Sequence, residues 1–360
     1  MSGVLDDGQA MARLDAGGML AAVAGLPAQL RDAWALTREL GLGDAHRAAT
    51  AAAVAAMGGS AIGADVVRGV FDDRLRVPLV TVRDYDLPAW VGPSSLVVAA
   101  SYSGATEETI AAFTAAVRRR CPVAVIATGG PLADVAEQAG LPLLRFPGGG
   151  QPRAAVGWSA VLLAGLLERA GVLDLGEADV SAAAQAVDVV LRACGPGVAT
   201  DHNPAKQIAW SIVDRVPLVE AAGFLAPVAR RWKTQLNENG KSHAIWEELP
   251  EATHNAVVGY GRPETINDRL YVLFLSSPLD HARNRLRATL SMEALTMAGI
   301  EHQLVPVAGE GRLAQAFAAI ALGDLVSVYL GFLYGLDPTP IEPIARIKER
   351  LLTEDGADPR

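Results

Sequence analysis

Short apolar runs alternate with helix-compatible stretches along the first 150 residues. Five β-rich runs bounded by Pro, Gly or Asp predict strands, at residues 50–57, 77–82, 95–100, 123–127 and 141–146. Helix-compatible segments lie between several of these runs, notably at 107–120 and 132–139. Strands that alternate with helices predict an α/β fold in which a mostly parallel sheet is flanked by helices.

The strongest interruption of this pattern is the Gly- and Pro-rich segment at 147–152, Pro-Gly-Gly-Gly-Gln-Pro. A chain of 360 residues exceeds the size at which one hydrophobic core keeps growing. We therefore predict two domains, residues 1–150 and residues 151–360. The second domain repeats the alternation, with predicted strands at 216–221, 270–276 and 302–307 and predicted helices at 205–213, 227–236, 280–298 and 313–336.

The last of these helices, at 313–336, is apolar and long enough to cross a bilayer. Its single acidic or basic residue is Asp324. Asp324 and Gln315 would both be costly inside a membrane, and flanking basic anchors are sparse. The pattern favours a helix that is buried between the domains.

Composition narrows the class of protein. Hydrophobic residues make up 51% and charged residues 20% of the chain, which is typical of a folded globular protein. The net charge of −9 gives no general attraction for nucleic acid, so an anionic ligand has to be held locally. Two cysteines and scattered histidines provide neither a disulfide framework nor a metal site. The N-terminal region lacks the pattern of a signal peptide, which predicts a cytoplasmic location.

Two predicted strand-to-helix turns, at 57–63 and 101–109, carry glycine and small hydroxylated residues. In a parallel sheet both turns lie at the carboxyl ends of strands, where open α/β folds bind their ligands. Hydroxyl groups and the free N–H groups of the following helices form a cradle for an anion. The predicted phosphate-binding residues are Gly59, Ser60, Ser101, Ser103 and Thr106.

An alternative is that these hydroxyl groups only cap helices. Thr106 would do so if its side chain accepted a hydrogen bond from a backbone N–H of the helical turn that follows it. Two such turns after two strands favour the phosphate site. The pattern matches neither the Walker loop, which requires Gly-Lys-Ser/Thr, nor a dinucleotide fingerprint. A sugar phosphate is therefore a better candidate than a nucleotide.

Taken in order, the motifs resemble the sugar isomerase (SIS) domain, and more specifically the bifunctional phosphoglucose/phosphomannose isomerase family. The resemblance covers about residues 50–352 and rests on blocks at 58–65, 101–109, 237–259 and 323–348. It implies two SIS-type domains, a homodimer and no metal or other cofactor. It also implies an aldose-ketose isomerase that converts glucose 6-phosphate, mannose 6-phosphate or both to fructose 6-phosphate through a cis-enediol.

The same resemblance assigns roles to residues. Glu238 corresponds to the base that moves the proton, and its neighbours Asn237 and Asn239 are expected to orient it. His254 corresponds to the ring-opening histidine, which in related isomerases reaches in from the neighbouring subunit. Arg153 corresponds to an arginine that stabilises the enediolate. Lys348 corresponds to a positively charged residue of the site.

The sequence departs from the family pattern in three places, one of which is the block after Asn239, where Gly240 and His243 replace commoner residues. Ala64 stands where the family usually has Gly, and Ala105 where it usually has Asn.

These departures leave three alternatives open. The chain could be a non-catalytic or regulatory SIS protein that binds a sugar phosphate, an isomerase of another phosphorylated sugar, or an inactive paralogue. A pair of catalytic candidates, Glu238 and His254, favours the enzyme over a purely sensory domain.

Overall fold

The computed structural model describes residues 3–353, which contain two parallel β-sheets. The first sheet consists of β1 (Ala51–Ala56), β2 (Leu79–Val82), β3 (Ser95–Ser101), β4 (Val123–Ala127) and β5 (Leu143–Arg145). The second consists of β6 (Val216–Ala222), β7 (Ile245–Leu249), β8 (Leu270–Ser276) and β9 (Glu301–Pro306). Their strand orders are β2-β1-β3-β4-β5 and β7-β6-β8-β9. The predicted α/β class with mostly parallel sheets is confirmed.

Fourteen α-helices surround the sheets in the described residues. Those that precede the second sheet are α1 (Gly8–Leu14), α2 (Met19–Ala24), α3 (Leu26–Arg38), α4 (Asp44–Arg47), α5 (Gly58–Val70), α6 (Glu107–Arg118), α7 (Gly130–Gln138), α8 (Val156–Arg169), α9 (Glu177–Cys194) and α10 (Pro204–Ile212). The others are α11 (Ala226–Glu238), α12 (Ala282–Met297), α13 (Gly311–Leu333) and α14 (Glu342–Thr353). Short 3-10 turns join several of them, including Pro152–Ala154 and Glu251–His254.

The central strands owe their position to sequences that are apolar on both faces. β1 reads Ala-Ala-Ala-Val-Ala-Ala, and every residue of β3 is buried. Such runs suit a parallel sheet that is covered by helices on both sides. Helices α5 and α11 follow the first strand of each sheet and pack against each other. They connect the two halves of the molecule.

Helix α13 fills the space between the halves. It is long and apolar enough to cross a membrane, but 89% of its most apolar stretch is buried inside the protein. It packs against α9, α10 and α11. The indole of Trp232 on α11 packs against α13, and its nitrogen donates to the carbonyl of Ala319 at 2.8 Å. A Cβ atom at position 323 would overlap that nitrogen, so only glycine fits there. The predicted buried helix is confirmed.

Several elements were absent from the sequence prediction. Strand β7 was not predicted, nor were the N-terminal helices α1–α4 or α9. The N-terminal helix α3 packs on α8 and α9, which follow the predicted boundary at residue 150. The largest buried apolar cluster accordingly draws residues from both sheets. The boundary between residues 150 and 151 stays a prediction.

Candidate active site

The first predicted phosphate turn joins β1 to α5. Gly58 has φ = +50°, a conformation that favours glycine, and Met57 stands at the N-cap without a side-chain hydrogen bond. A Cβ atom on Gly59 would lie 2.7 Å from the carbonyl oxygen of Pro152, so only glycine fits there. Ser60 is half-buried in the first turn of α5. The N–H groups of Gly58 and Gly59 have no intrahelical acceptor and remain available to an anion, whereas the N–H of Ser60 donates to the carbonyl of Met57 at 3.2 Å.

The second turn joins β3 to α6. The Ser101 hydroxyl is buried, accepts a hydrogen bond from the N–H of Gly104 at 3.1 Å and lies 2.8 Å from the Thr106 hydroxyl. The exposed Ser103 accepts from the N–H of Ala105 at 3.2 Å. Thr106 occupies the N-cap of α6 but makes no side-chain capping bond. The capping interpretation is therefore wrong for Thr106, whose hydroxyl faces Ser101 instead.

Both turns meet the segment that carries Arg153. Strands β1 and β3 are neighbours, so their turns open at the same edge of the sheet. The first turn touches Pro152 through Gly59, and in the second turn the Tyr102 hydroxyl accepts from the N–H of Gly150 at 2.9 Å. Arg153 lies in the 3-10 turn between them and is only 4% exposed.

Glu238 stands next to Arg153. It is the last residue of α11, its side chain is 28% exposed, and its Oε2 lies 3.7 Å from Nη1 of Arg153. The two atoms form an ion pair rather than a hydrogen bond. The structure thus brings together the two predicted phosphate turns, Arg153 and Glu238. The first turn and Glu238 are about 180 residues apart along the chain.

The expectation that two asparagines orient Glu238 is wrong. Asn237 donates to the carbonyl of Ser242 at 2.8 Å. The buried Asn239 accepts from Nε of Arg153 at 2.6 Å and donates to the Ser327 hydroxyl at 3.0 Å. Asn239 therefore orients the arginine, and Asn237 closes the turn after α11. Sequence reasoning missed this because Arg153 is 86 residues away from Asn239 along the chain.

A second cation, Lys241, joins the end of α11 to the segment at 337–340. Its ammonium group donates to the carbonyls of Glu238 at 2.6 Å, Pro338 at 2.8 Å and Pro340. Arg153 donates from Nη2 to the same segment, to the carbonyls of Pro338 at 3.0 Å and residue 339 at 2.7 Å. Burial lowers the pKa of both Arg153 and Lys241, and the Glu238 carboxylate opposes that shift.

Below the site lies a buried ion pair between α11 and α13. Arg231 donates to both carboxylate oxygens of Asp324, at 2.9 and 2.7 Å, and also to the backbone carbonyl of Arg153 at 2.9 Å. Gln235 donates to the same carboxylate at 2.9 Å. Breaking one partner of such a pair typically costs about 3–5 kcal/mol. The backbone of Arg153 is thus fixed as well as its guanidinium.

Two predicted site residues lie outside this cluster. His254 is exposed in the turn after the carboxyl end of β7, whereas Glu238 precedes the amino end of the same strand. The length of β7 separates these two ends by roughly 13 Å. Lys348 is exposed on α14 and makes no hydrogen bond or ion pair with any described residue of the cluster. Neither residue joins Glu238 within one chain.

The arrangement offers two kinds of chemistry side by side. Hydroxyl and N–H groups at the ends of β1 and β3 suit a phosphate group. A partly exposed carboxylate and a buried guanidinium suit proton transfer with stabilisation of a developing oxyanion. Among residues 3–353 no group of three or more His, Cys, Asp or Glu side chains is placed to hold a metal ion.

Comparison with known proteins identifies the family. A bifunctional phosphoglucose/phosphomannose isomerase from Caldicellulosiruptor bescii is 32% identical over 336 residues, which cover 92% of this chain and 98% of that protein. The chain belongs to the bifunctional phosphoglucose/phosphomannose isomerase family. A second member of this isomerase family, from Aquifex aeolicus, is 34% identical and covers 82% of this chain and 88% of its own length.

Two further comparisons agree with this isomerase family. The family model described as the bacterial phospho-glucose isomerase C-terminal SIS domain matches residues 201–351, which lie within the predicted second domain. The crystal structure of a hypothetical protein from Thermus thermophilus superimposes with a TM-score of 0.74 at 16% identity, covering 95% of this chain and 92% of that one. The resemblance found in the sequence is confirmed, and the fold is shared with a solved structure.

Proposed function

We propose that the protein is an aldose-ketose isomerase that interconverts glucose 6-phosphate, mannose 6-phosphate or both with fructose 6-phosphate. The observation that carries the proposal is the convergence of the separated sequence blocks on one ion pair, Arg153 with Glu238. The curated relatives are named for isomerisation of both phosphoglucose and phosphomannose. The two aldose phosphates differ only at C2 and give the same enediol, so one base serves both.

The phosphate group of the substrate binds at the two turns of the first sheet. Gly59 and Ser60 supply the N-terminal end of α5, and Ser101, Ser103 and Thr106 supply hydroxyl groups from the second turn. A phosphate held there by neutral donors leaves Arg153 free for the reacting end. The missing side chain at Ala105 removes one donor that the family usually has, and its backbone N–H is used by Ser103.

Glu238 then transfers the proton. Its carboxylate removes the hydrogen from C2 of the open-chain aldose, and the C2–H electron pair forms the C1–C2 double bond of the enediolate. The C1 oxygen takes up the charge, and the proton of the C2 hydroxyl moves to it through the cis-enediol. The same carboxylate then returns its proton to C1, and the C2 oxygen becomes the ketone. Arg153, which is held by Asn239 and by the carbonyls of 338 and 339, keeps one N–H edge towards Glu238 and stabilises the enediolate oxygens.

Ring opening is assigned to His254 of a second subunit in a homodimer. Within one chain His254 and Glu238 lie at opposite ends of β7, which supports donation across an interface. In a symmetric dimer each subunit then gives its histidine to the other's site. Lys348 is proposed as a further positive charge near the substrate. A cytoplasmic location fits substrates of this kind.

The test is turnover by the wild-type protein. Incubated with glucose 6-phosphate or mannose 6-phosphate after exhaustive chelation, the protein should form fructose 6-phosphate, since proton transfer by Glu238 requires no Lewis acid. Enzymatic detection of the ketose gives the rate. Binding of both sugars without any turnover would support the regulatory alternative. Activity that is lost on chelation and restored by zinc or magnesium would overturn the metal-free mechanism.

A further inference from the structure

A crevice of about 620 Å³ opens at the carboxyl edge of the second sheet, between the two halves of the molecule. Its walls include the loops after β6 and β8, the last turns of α5 and the first turns of α11. Each of these helices is about 20 Å long and reaches the candidate active site with its other end. The crevice is therefore remote from Glu238, although it shares two helices with it.

In each sheet the first strand lies between the second and the third, and it pairs with the third strand in a matching register. Ala51 of β1 lies opposite Ser95 of β3, and Val216 of β6 lies opposite Leu270 of β8. Seven residues after Ala51 comes Gly58, with φ = +50°, and seven residues after Val216 comes Gly223, with φ = +53°. The loop after β6 is thus the counterpart of the first phosphate turn.

The same correspondence holds for the loop after β8. Helix α6 begins twelve residues after Ser95, and α12 begins twelve residues after Leu270. Residues 277–281 are accordingly the counterpart of residues 102–106. Both pairs of loops lie where the strand order reverses, which is where open α/β sheets bind ligands.

Even the acid-arginine pair has a counterpart. Glu238 follows Gly223 by fifteen residues, and Asp73 follows Gly58 by the same number. Asp73 Oδ1 lies 3.0 Å from Nη1 of Arg312, in the first turn of the helix after the last strand of the second sheet. Arg153 stands just before the helix after the last strand of the first sheet. The crevice is the internal counterpart of the candidate active site.

The side chains of the crevice differ from those of the active site in a way that defines a ligand. Leu225 stands where the first sheet has Ser60, and His281 where it has Thr106, so two hydroxyl groups of the cradle are missing. Guanidinium groups replace them: Arg83 and Arg230 share one carboxylate, Asp65. Two cations on one anion leave a net positive charge.

A further arginine adds to this positive charge. Arg68 is exposed at the rim, where its charge acts on the carboxylate of Glu248 and opposes the upward shift that burial gives the pKa of that group. Asp72, Glu248 and Asp280 line other parts of the crevice, and Trp246 offers an aromatic wall. Guanidinium groups suit a phosphate, carboxylates accept from sugar or polyol hydroxyls, and an indole face packs against C–H groups. This set of groups matches a polyhydroxylated phosphate ester.

We propose that the crevice is a second, non-catalytic binding site for a phosphorylated sugar or polyol. Asp73 lies in an adjoining cavity of about 180 Å³ rather than in the crevice, and its pairing with Arg312 leaves no free base at the ligand. This proposal rests on the proposed function in one respect, namely that the first site binds a sugar phosphate. Because α5 and α11 reach both sites, binding at the second site is suited to regulation.

Calorimetric titration with sorbitol 6-phosphate tests this proposal. The probe has the phosphate and hydroxyl groups of the substrate but no carbonyl, so it cannot be isomerised. We expect two sites per chain. Neutralisation or reversal of the exposed rim charge, Arg68→Gln or Arg68→Glu, should weaken one site about tenfold or more and leave the other unchanged. Ser101→Ala with Thr106→Ala should weaken the other site instead.

The matched control is Arg118→Glu, which reverses an exposed charge at the end of α6, away from the crevice. It should preserve both sites. Fewer than two sites per chain in the wild type, or two sites that the Arg68 variants leave unchanged, would overturn the proposal. Turnover of hexose 6-phosphates is measured separately, so a missing second site leaves the isomerase function standing.

Discussion

Arg153 is a buried cation whose guanidinium is held at all three nitrogens. Nε is held by Asn239, Nη2 by two backbone carbonyls and Nη1 by Gln151 at 3.1 Å, while Nη1 also faces Glu238. Holding a guanidinium in place before the substrate arrives avoids reorganisation during the reaction. Nε is held by Asn239, which the sequence predicts to orient Glu238 instead.

A pair of asparagine variants tests this assignment. Asn239→Ala removes the acceptor of Nε, so kcat should fall about tenfold or more while KM changes little. Loss of its two buried hydrogen bonds should also lower the free energy of unfolding by about 1–3 kcal/mol. The matched control is Asn237→Ala, on the other side of Glu238, which should retain nearly full activity. Equal loss of kcat in both variants would contradict the assignment.

Single candidate positions in the two predicted phosphate turns could be proposed from the sequence, whereas the long-range partners of the site could not. Gly59 and Ser60 stand in a short motif whose backbone geometry follows from its position after a strand. Lys241 and Asn239 reveal their roles only through contacts with residues 86 to 99 positions away. Hydrogen bonds over that separation leave no local pattern.

Strand β6 carries a buried acid at its centre. Glu220 is fully buried, accepts a hydrogen bond from the Tyr260 hydroxyl at 2.7 Å and lies opposite Glu247 of β7. Burial, with a contribution from Glu247, raises the pKa of Glu220 to about 7. The carboxyl group is therefore neutral in the folded protein at a pH where it is already ionised in the unfolded chain.

This pKa makes stability depend on pH in a defined direction. Between about pH 4.5 and pH 7 the unfolded chain loses the Glu220 proton and the folded protein keeps it, so stability falls as pH rises. Glu220→Gln removes that dependence. The stability of the variant relative to wild type should increase by up to about 3 kcal/mol from pH 4.5 to pH 8.

Urea unfolding at both pH values measures the difference. Glu39→Gln, at an exposed position beside the end of α3, serves as the control. It should change the free energy of unfolding by the same amount at both pH values. If the stability of Glu220→Gln relative to wild type were the same at pH 4.5 and pH 8, Glu220 would not be neutral in the folded protein.

The elements that sequence predicted best are those with long apolar runs. β4 and β8 were predicted at their observed bounds, because both are apolar throughout and end at turn residues. β7 was missed because its sequence, Ile-Trp-Glu-Glu-Leu, lacks a continuous or alternating apolar pattern. It is an edge strand, and its position is set by pairing with β6 rather than by its own composition.

The whole molecule is built from two similar halves with one candidate catalytic carboxylate, Glu238, between them. The length and the interruption at 147–152 predicted two domains. The matching register of the two sheets could not be predicted, because no repeat is visible in the sequence. The crevice at the second sheet therefore could not be predicted. The opposite positions of Glu238 and His254 also appear only in the folded chain, and they bear on the proposal that two subunits share a site.

A mixed dimer tests the shared site. Glu238→Ala and His254→Ala should each be nearly inactive alone. Refolded together in equal amounts, half of the dimers are mixed, and each mixed dimer has one site with both residues intact. Activity should recover to about a quarter of wild type. With subunit exchange shown by differently tagged chains, absence of recovery would rule out donation of His254 across the interface.

Proton exchange with solvent tests the role of Glu238 most directly. In deuterium oxide, NMR should show that the wild-type protein incorporates deuterium at C2 of glucose 6-phosphate and at C1 of fructose 6-phosphate, since the base holds the transferred proton at a partly exposed carboxylate. Glu238→Gln should still bind both sugars, because the phosphate turns are intact, and should incorporate none. Deuterium incorporation by Glu238→Gln at a rate near that of the wild type would contradict the assignment of Glu238 as the base.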